Sequence, residues 1–128
     1  MNKRILFINN YTATSTIPEL IAGAGYRVDT ILNSEVASRE LDARHFDLMI
    51  LMENPHAESW VVCERLRQLT AIPLIVISYN ASTETCVKAI NAGADYFMRK
   101  PFGPMELLAR INSLLQRVTQ NQPISLAY

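Results

Sequence analysis

Apolar residues recur along the chain in five short runs, and a helical pattern follows each of them. The runs at 47–52 and 73–77 are apolar almost throughout, which is typical of strands buried on both faces of a sheet. The run at 5–8 is also continuous, the run at 26–32 alternates in its middle and suits an edge strand, and the run at 95–98 is short. The pattern therefore predicts five strands.

Helices are predicted after each of these strands. Pro18 lies in the first turn of the first helix and Gly93 directly follows the fourth one, in the places where helices favour these residues. Strands that alternate with helices form a parallel sheet covered on both faces. The sequence therefore predicts one α/β domain, with helices at 15–24, 34–43, 60–69, 82–92 and 107–118.

Composition narrows the class of protein further. The 128 residues are 49% apolar, enough for a full core, and twelve basic against twelve acidic residues argue against binding nucleic acid or anionic lipid by bulk charge. No apolar run approaches the ~20 residues of a membrane span. The basic start at 1–4 precedes only four apolar residues, too few for a signal peptide, so we expect a cytoplasmic protein. Cys63 and Cys86 match no metal-ligand spacing, and we expect them to be buried thiols.

Ligands of open parallel sheets bind beyond the carboxyl ends of the strands. In this chain the residues to inspect there are polar or unusual: Asn9 and Asn10 after the first strand, Met52 and Glu53 after the third, Ser78 and Tyr79 after the fourth, and Lys100 after the fifth.

The segment at 93–102 reads Gly-Ala-Asp-Tyr-Phe-Met-Arg-Lys-Pro-Phe. It resembles the Gly-Ala-Asp-x-aromatic-x-x-Lys-Pro-Phe segment of response-regulator receiver domains, and 106–111 resembles the last helix of their OmpR/PhoB subfamily. The runs at 47–51 and 73–78 match the third and fourth strands. The resemblance implies a flavodoxin-like, CheY-like (βα)5 doubly wound sandwich with strand order 2-1-3-4-5. It spans about residues 3–119 and predicts a receiver-like domain at 1–119, with 120–128 as the start of a linker or a C-terminal tail.

The family transfers a phosphoryl group onto an aspartate at the end of the third strand, beside two acids that hold Mg²⁺. Here Asn9 and Asn10 stand at the acidic pair, and Met52 stands at the phosphoacceptor position. Aligning instead on Pro55 places Leu51 there, which is no acid either. None of these side chains replaces the carboxylates that Mg²⁺ prefers. We therefore predict a degenerate, aspartate-less receiver with no metal, no cofactor and no catalytic activity.

Other positions of the family site remain. Ser78 matches the hydroxyl that follows the phosphoryl oxygen, Phe97 matches the aromatic switch residue, Lys100 matches the lysine, and Pro101 matches a cis-proline. Tyr79 stands where a small residue is usual, and it either fills the pocket with Met52 or lies in solvent. Glu53 either mimics a phosphoaspartate or is a solvated loop residue that faces away.

The fourth helix, fifth strand and fifth helix form the dimer face of the subfamily. Its charged positions are matched in part by Asp95, Glu106, Arg110 and Arg117. Tyr96 stands in place of a second acid and Cys86 in place of a basic residue, which leaves fewer ion pairs and more apolar area. We predict a homodimer through this face; the competing interpretation is a solvated helix surface.

Together these features predict an atypical, phosphorylation-independent receiver domain that serves as the regulatory and dimerisation module of a two-component response regulator. The resemblance implies a transcription regulator that contacts DNA through a winged-helix domain downstream. The alternative is a stand-alone adaptor that binds a protein partner through the same face. An enzyme or nucleotide binder on this scaffold would need a glycine loop after the first strand, and 9–12 reads Asn-Asn-Tyr-Thr.

Overall fold

Five parallel strands form a single sheet in the order β2-β1-β3-β4-β5, which confirms the predicted topology. The structure is a computed structural model that describes residues 3–10, 15–32, 46–53, 59–79 and 81–120. The strands are β1 (Arg4–Asn9), β2 (Arg27–Ile31), β3 (Leu48–Glu53), β4 (Leu74–Tyr79) and β5 (Tyr96–Lys100).

Four helices lie in the described residues: α1 (Ile17–Gly23), α2 (Ser59–Leu69), α3 (Thr83–Asn91) and α4 (Pro104–Gln120). The helix predicted at 34–43 lies outside the described residues, as do residues 121–128 of the tail predicted at 120–128. The fourth and fifth predicted helices are therefore α3 and α4. Gln120 belongs to α4 and not to the tail. In the part of the chain that the structure describes, no helix is long and apolar enough to cross a membrane.

Two apolar clusters cover the sheet, one on each face. Alternate residues of the central strands point to opposite faces, so Phe7, Ile50 and Ile77 join a cluster with α1 and α4. Their neighbours Ile8 and Leu51 join a second cluster with α2 and α3. Since β1, β3 and β4 are covered on both sides, their nearly continuous apolar runs follow from their position in the sheet.

Four strands, β1, β3, β4 and β5, end later than the apolar runs that predicted them. Glu53, placed in a loop by the sequence pattern, is the last residue of β3, and β5 continues beyond Met98 to Lys100. Pairing between strands explains the extension, because Glu53 lies opposite Ser78, and β4 ends with Tyr79 opposite Lys100. Backbone ladders continue through polar residues, which a count of apolar side chains does not detect.

Arg67 joins the end of α2 to the starts of β4 and β5. Its guanidinium donates to the carbonyl oxygens of Ile72 and Gly93 and to Asp95 Oδ2, the last two at 2.8 Å. Gly93 has a φ of 122°, and a Cβ there would collide with the Arg67 side chain. A glycine at this position therefore serves both the helix end and the close approach of the arginine.

Candidate functional site

Met52 lies at the carboxyl edge of the sheet between the two neighbouring strands. It pairs with Asn9 of β1 on one side and with Ile77 of β4 on the other. The Asn10 backbone N–H donates to the Met52 carbonyl oxygen at 2.9 Å. Only 3% of Met52 is exposed, because its side chain belongs to the cluster under α1 and α4. The structure thus brings together the three positions at which the family resemblance expects acids.

Neutral side chains replace charge at this edge. Asn9 is 7% exposed and offers an amide, while the Met52 thioether has no nucleophilic oxygen. Mg²⁺ in proteins is held mainly by carboxylates together with substrate oxygens. Across the described ranges, no group of three or more His, Cys, Asp or Glu side chains could hold a metal ion.

Glu53 is buried at the end of β3, so its interpretation as a solvated loop residue is wrong. It is 1% exposed, and Asn10 Nδ2 donates to its Oε1 at 2.7 Å. Strand alternation directs Glu53 to the opposite face of the sheet from Met52. Its role as a mimic of phosphoaspartate stays a prediction. The signal that sequence reasoning missed is the continuation of the β3 ladder by one residue beyond Met52.

The retained positions surround this edge on β4 and β5. Ser78 is buried opposite Glu53, and Phe97 is half-buried against the cluster under α2 and α3. Tyr79 is 36% exposed, and its ring centroid lies 4.9 Å from Lys100 Nζ. The pocket-filling role of Tyr79 stays a prediction. The Lys100–Pro101 peptide bond is cis, as the resemblance implies.

Tyr96 gathers two arginines on the face formed by α3, β5 and α4, which we call the β5 face. The guanidinium carbons of Arg110 and Arg117 lie 4.6 and 5.9 Å from the centre of its ring, and Arg117 Nη2 lies 3.4 Å from its hydroxyl oxygen. Burial would raise the pKa of the Tyr96 phenol. Hydrogen bonds from Ser113 and Arg110 and the nearby positive charges outweigh burial, so the pKa is lowered. An aromatic ring thus holds cations where the resemblance leads us to expect an acid.

Asp95 is bound within its own chain. Its Oδ2 accepts hydrogen bonds from Arg67 Nη2 and from the Leu74 backbone N–H, both at 2.8 Å. Arg67 and Asp95 also form an ion pair with 22% and 38% of their side chains exposed. Sequence reasoning assigned Asp95 to the dimer face and did not find Arg67, because residues 28 apart show no local pattern.

The two thiols differ in their surroundings. Cys63 is fully buried between α2 and the sheet, and burial raises its pKa to about 12, with Arg67 opposing the shift and Glu53 adding to it. Cys86 on α3 is only half-buried. The expectation of a buried thiol is therefore confirmed in full for Cys63 alone.

Comparison with known proteins identifies the family of this fold and site. Residues 9–112 match the family model of the response regulator receiver domain. A relative from Cyanophora paradoxa, named probable transcriptional regulator ycf27, is 33% identical over 96% of this chain and 52% of its own length. The transcriptional activator protein IrlR of Burkholderia pseudomallei is 29% identical over 89% of this chain and 51% of its own. The chain spans about half the length of these curated relatives.

Solved structures show the same architecture. A CheY-like receiver domain protein from Methanospirillum hungatei superimposes with a TM-score of 0.83 at 26% identity, over 95% of this chain and all of the other. An orphan response regulator of H. pylori gives a TM-score of 0.76 at 25% identity, over 88% of this chain and 96% of the other.

Proposed function

The chain belongs to the response regulator receiver domain family, and we propose that it works without accepting a phosphoryl group. The observation that carries the proposal is Met52, a buried thioether at the end of β3 whose neighbour on β1 is Asn9. An aspartyl-phosphate requires a carboxylate oxygen as nucleophile and a cation that neutralises the moving charge. At the three positions where acids are expected, Asn9, Asn10 and Met52 offer amides and sulfur in place of carboxylates.

Regulation then depends on a different input. Two conformations of a protein change their populations only when something binds them with different affinity, so abundance, a ligand or a partner protein takes the place of a kinase. Ser78 is buried opposite Glu53, and Phe97 packs beneath α2 and α3. In this proposal both side chains stay in one conformation. The names of the relatives support transcription as the process that is regulated. A winged-helix domain that follows this one and contacts DNA is part of the proposal.

Phosphorylation by a small donor tests the central claim. We would incubate the protein with acetyl phosphate and Mg²⁺ and follow its intact mass. We expect no phosphoryl adduct. The matched control is the triple variant Asn9→Asp, Asn10→Asp and Met52→Asp, which keeps Ser78 and Lys100 and should gain a Mg²⁺-dependent adduct. An adduct on the unmodified chain that Glu53→Gln abolishes would overturn the proposal and assign the chemistry to Glu53.

We also propose that the domain dimerises through the β5 face. Val87 and Ile90 on α3 expose 50% and 40% of their surface, and they lie three residues apart on one side of the helix. Exposed ion pairs contribute only ~0–1 kcal/mol each, whereas burial of an apolar side chain contributes more. A face with Tyr96 in place of an acid therefore has the apolar area for association without a phosphoryl trigger.

Sedimentation velocity with and without Mg²⁺ and acetyl phosphate tests the dimer. We expect a dimer under both conditions. A monomer under both would contradict the dimer and favour the adaptor, which uses the same face for a different protein. A dimer that forms only with the phosphodonor would contradict phosphorylation-independent action.

A further inference from the structure

A groove lies between α2 and α3, on the opposite face of the sheet from α1 and α4. It has a volume of about 380 Å³ and is lined by Trp60, Glu64, Lys88, Asn91 and Ala92. Sites for small molecules in proteins typically measure about 300–1,000 Å³. We call this site the α2–α3 groove. None of its five lining residues belongs to the carboxyl edge or carries the dimer proposed above.

The ring of Trp60 already carries a positive charge. Trp60 is half-buried on α2, and Lys88 Nζ, on α3, lies 4.6 Å from the centre of its ring. An ammonium group within about 6 Å of an indole face is attracted to it. The packing of α2 against α3 thus makes this ring a platform for a cation.

The groove has one more negative charge than it has positive charges. Lys88 Nζ lies 3.3 Å from Glu84 Oε1, one turn earlier on α3, so the lysine is balanced within its own helix. Glu64 lines the groove from α2, and no cation lies within 4.0 Å of its carboxylate in the described part of the chain. Arg67, which follows on α2, is bound to Asp95. The charge of the groove therefore favours a cationic ligand.

A guanidinium group suits these side chains better than the ammonium of Lys88 does. It is planar and weakly hydrated, so it stacks on an aromatic ring, and it donates two parallel hydrogen bonds to a carboxylate such as Glu64. The exposed Asn91 side chain adds an amide oxygen as a further acceptor. Lys88 would keep its ion pair with Glu84 after it leaves the ring, which makes the exchange favourable.

We infer that the α2–α3 groove binds a small organic cation with a guanidinium group, which replaces Lys88 on the Trp60 ring and pairs with Glu64. The inference gives a chemical class to the input that the proposed function leaves open. The regulatory meaning of the site rests on the proposed function, whereas the binding itself does not.

Fluorescence of Trp60 tests the binding directly. Trp60 is the single tryptophan of the chain, so its emission reports on this groove alone. We would titrate the full 128-residue chain with butylguanidinium, without Mg²⁺ or acetyl phosphate. We expect a saturable change in emission at roughly millimolar concentration, as for a ligand with few atoms. Butylurea has the same shape without the charge and should give no saturable change.

Two variants test the roles of the charged side chains. Glu64→Gln should weaken binding by about tenfold, because the ligand loses its charged acceptor. Lys88→Met should strengthen binding by about threefold or more, because the ring no longer carries a competing cation. The matched controls are Glu19→Gln on α1 and Arg27→Met on β2. They remove the same charges from exposed positions that do not line the groove, and they should leave binding unchanged.

Four results would overturn the inference. They are no saturable response to butylguanidinium, an equal response to butylurea, unchanged binding by Glu64→Gln, and weaker binding by Lys88→Met. The last result would make Lys88 a partner of the ligand and not its competitor. The outcomes for the site and for the proposed function are separable. A phosphoryl adduct on the unmodified chain would overturn the function and leave the binding intact, and absence of binding would leave the function standing.

Discussion

The carboxyl edge at β1 and β3 and the β5 face differ in how they replace the charges that the family resemblance expects. At the edge, Asn9, Asn10 and Met52 remove charge, and Met52 is buried in the core. At the β5 face, Tyr96 removes one acid, but Arg110 and Arg117 remain against its ring. In our proposal the first change removes the means for a chemical step, whereas the second alters the charge and apolar area that a partner would meet.

The difference shows that the two tasks of a receiver depend on different physical requirements. Phosphoryl transfer needs several charges at one point, so loss of the nucleophile alone abolishes it. Association of two surfaces needs area and compatible charge, which can be rearranged among many residues. A domain can therefore lose its chemistry and keep its contacts.

The largest expected effect comes from returning charge to the edge. Met52→Asp alone should lower the free energy of unfolding by about 2–4 kcal/mol at neutral pH, because a carboxylate replaces a buried thioether that packs against the core. Met52→Leu keeps the volume and should cost less than about 1.5 kcal/mol. Urea unfolding measures both values.

Repeating the unfolding measurement with Mg²⁺ tests whether the edge can hold a cation. The ion should not restore the stability of Met52→Asp while Asn9 and Asn10 remain neutral, and it should do so in the triple variant that carries all three acids. If Met52→Asp is as stable as Met52→Leu, the edge accepts charge freely. The carboxyl edge and the β5 face would then no longer differ in how they tolerate charge.

Arg67 should have the next largest effect, because it supports the β5 face from within. Arg67→Ala removes the donor of three hydrogen bonds, to the Ile72 and Gly93 carbonyls and to the Asp95 carboxylate. We expect a loss of about 2–3 kcal/mol in urea unfolding, since the two carbonyl acceptors are part-buried. Arg67→Lys keeps the charge but lacks the planar fork, so it should recover only part. Complete recovery by lysine would show that charge alone matters.

Much of the fold was predictable because its signals are local. The apolar runs that became β3 and β4, Pro18 in the first turn of α1 and Gly93 after α3 all depend on neighbours in sequence. The strand order came from the resemblance to a family, since hydrophobic pattern alone does not order the strands of a sheet. The exact strand ends were missed because backbone pairing extends through Glu53 and Lys100.

The candidate site was predictable in composition but not in contacts. Sequence positions identified Asn9, Asn10 and Met52 as replacements, and the sheet brings them together. The bond from Asn10 to Glu53 and the hold of Arg67 on Asp95 join residues 43 and 28 positions apart. Such pairs depend on which strands are neighbours and on how far each ladder runs, and neither appears in the local pattern.

Alkaline pH should act on stability in opposite directions through Cys63 and Tyr96. The pKa of Cys63 is raised from 9.0 to about 12 in the folded protein, so its contribution to stability is complete below pH 9 and is lost as the pH rises toward 12. The pKa of Tyr96 is lowered from 10.0, so its phenolate adds stability above the folded pKa. Replacing the buried thiol should therefore flatten the decline of stability with pH.

Urea unfolding of the unmodified protein, Cys63→Ala and Tyr96→Phe across this range separates the two contributions. Differences in slope between variants matter here, because other titrating groups are common to all three. Cys63→Ala should show a smaller decline above pH 9 than the unmodified protein, and Tyr96→Phe a slightly larger one. Parallel curves for Cys63→Ala and the unmodified protein would mean that the thiol ionises as readily in the folded state as in the unfolded one.

The smallest effect is expected from the Tyr96 hydroxyl. Tyr96→Phe keeps the ring beneath Arg110 and Arg117 and removes the hydroxyl contacts with Ser113, Arg110 and Arg117. All three partners are exposed, so stability should change by less than about 0.5 kcal/mol. Tyr96→Ala removes the ring as well and should cost about 1 kcal/mol or more through two cation–π contacts. It should also weaken the dimer, since the arginines lose the surface that orients them, whereas Tyr96→Phe should not.

If both variants behave alike in thermal unfolding and sedimentation, the hydroxyl and its hydrogen bonds hold the arginines. The positions of the two arginine charges on the β5 face would then depend on hydrogen bonds, like the Asn10–Glu53 contact at the carboxyl edge. They would not depend on the aromatic ring that stands in place of an acid.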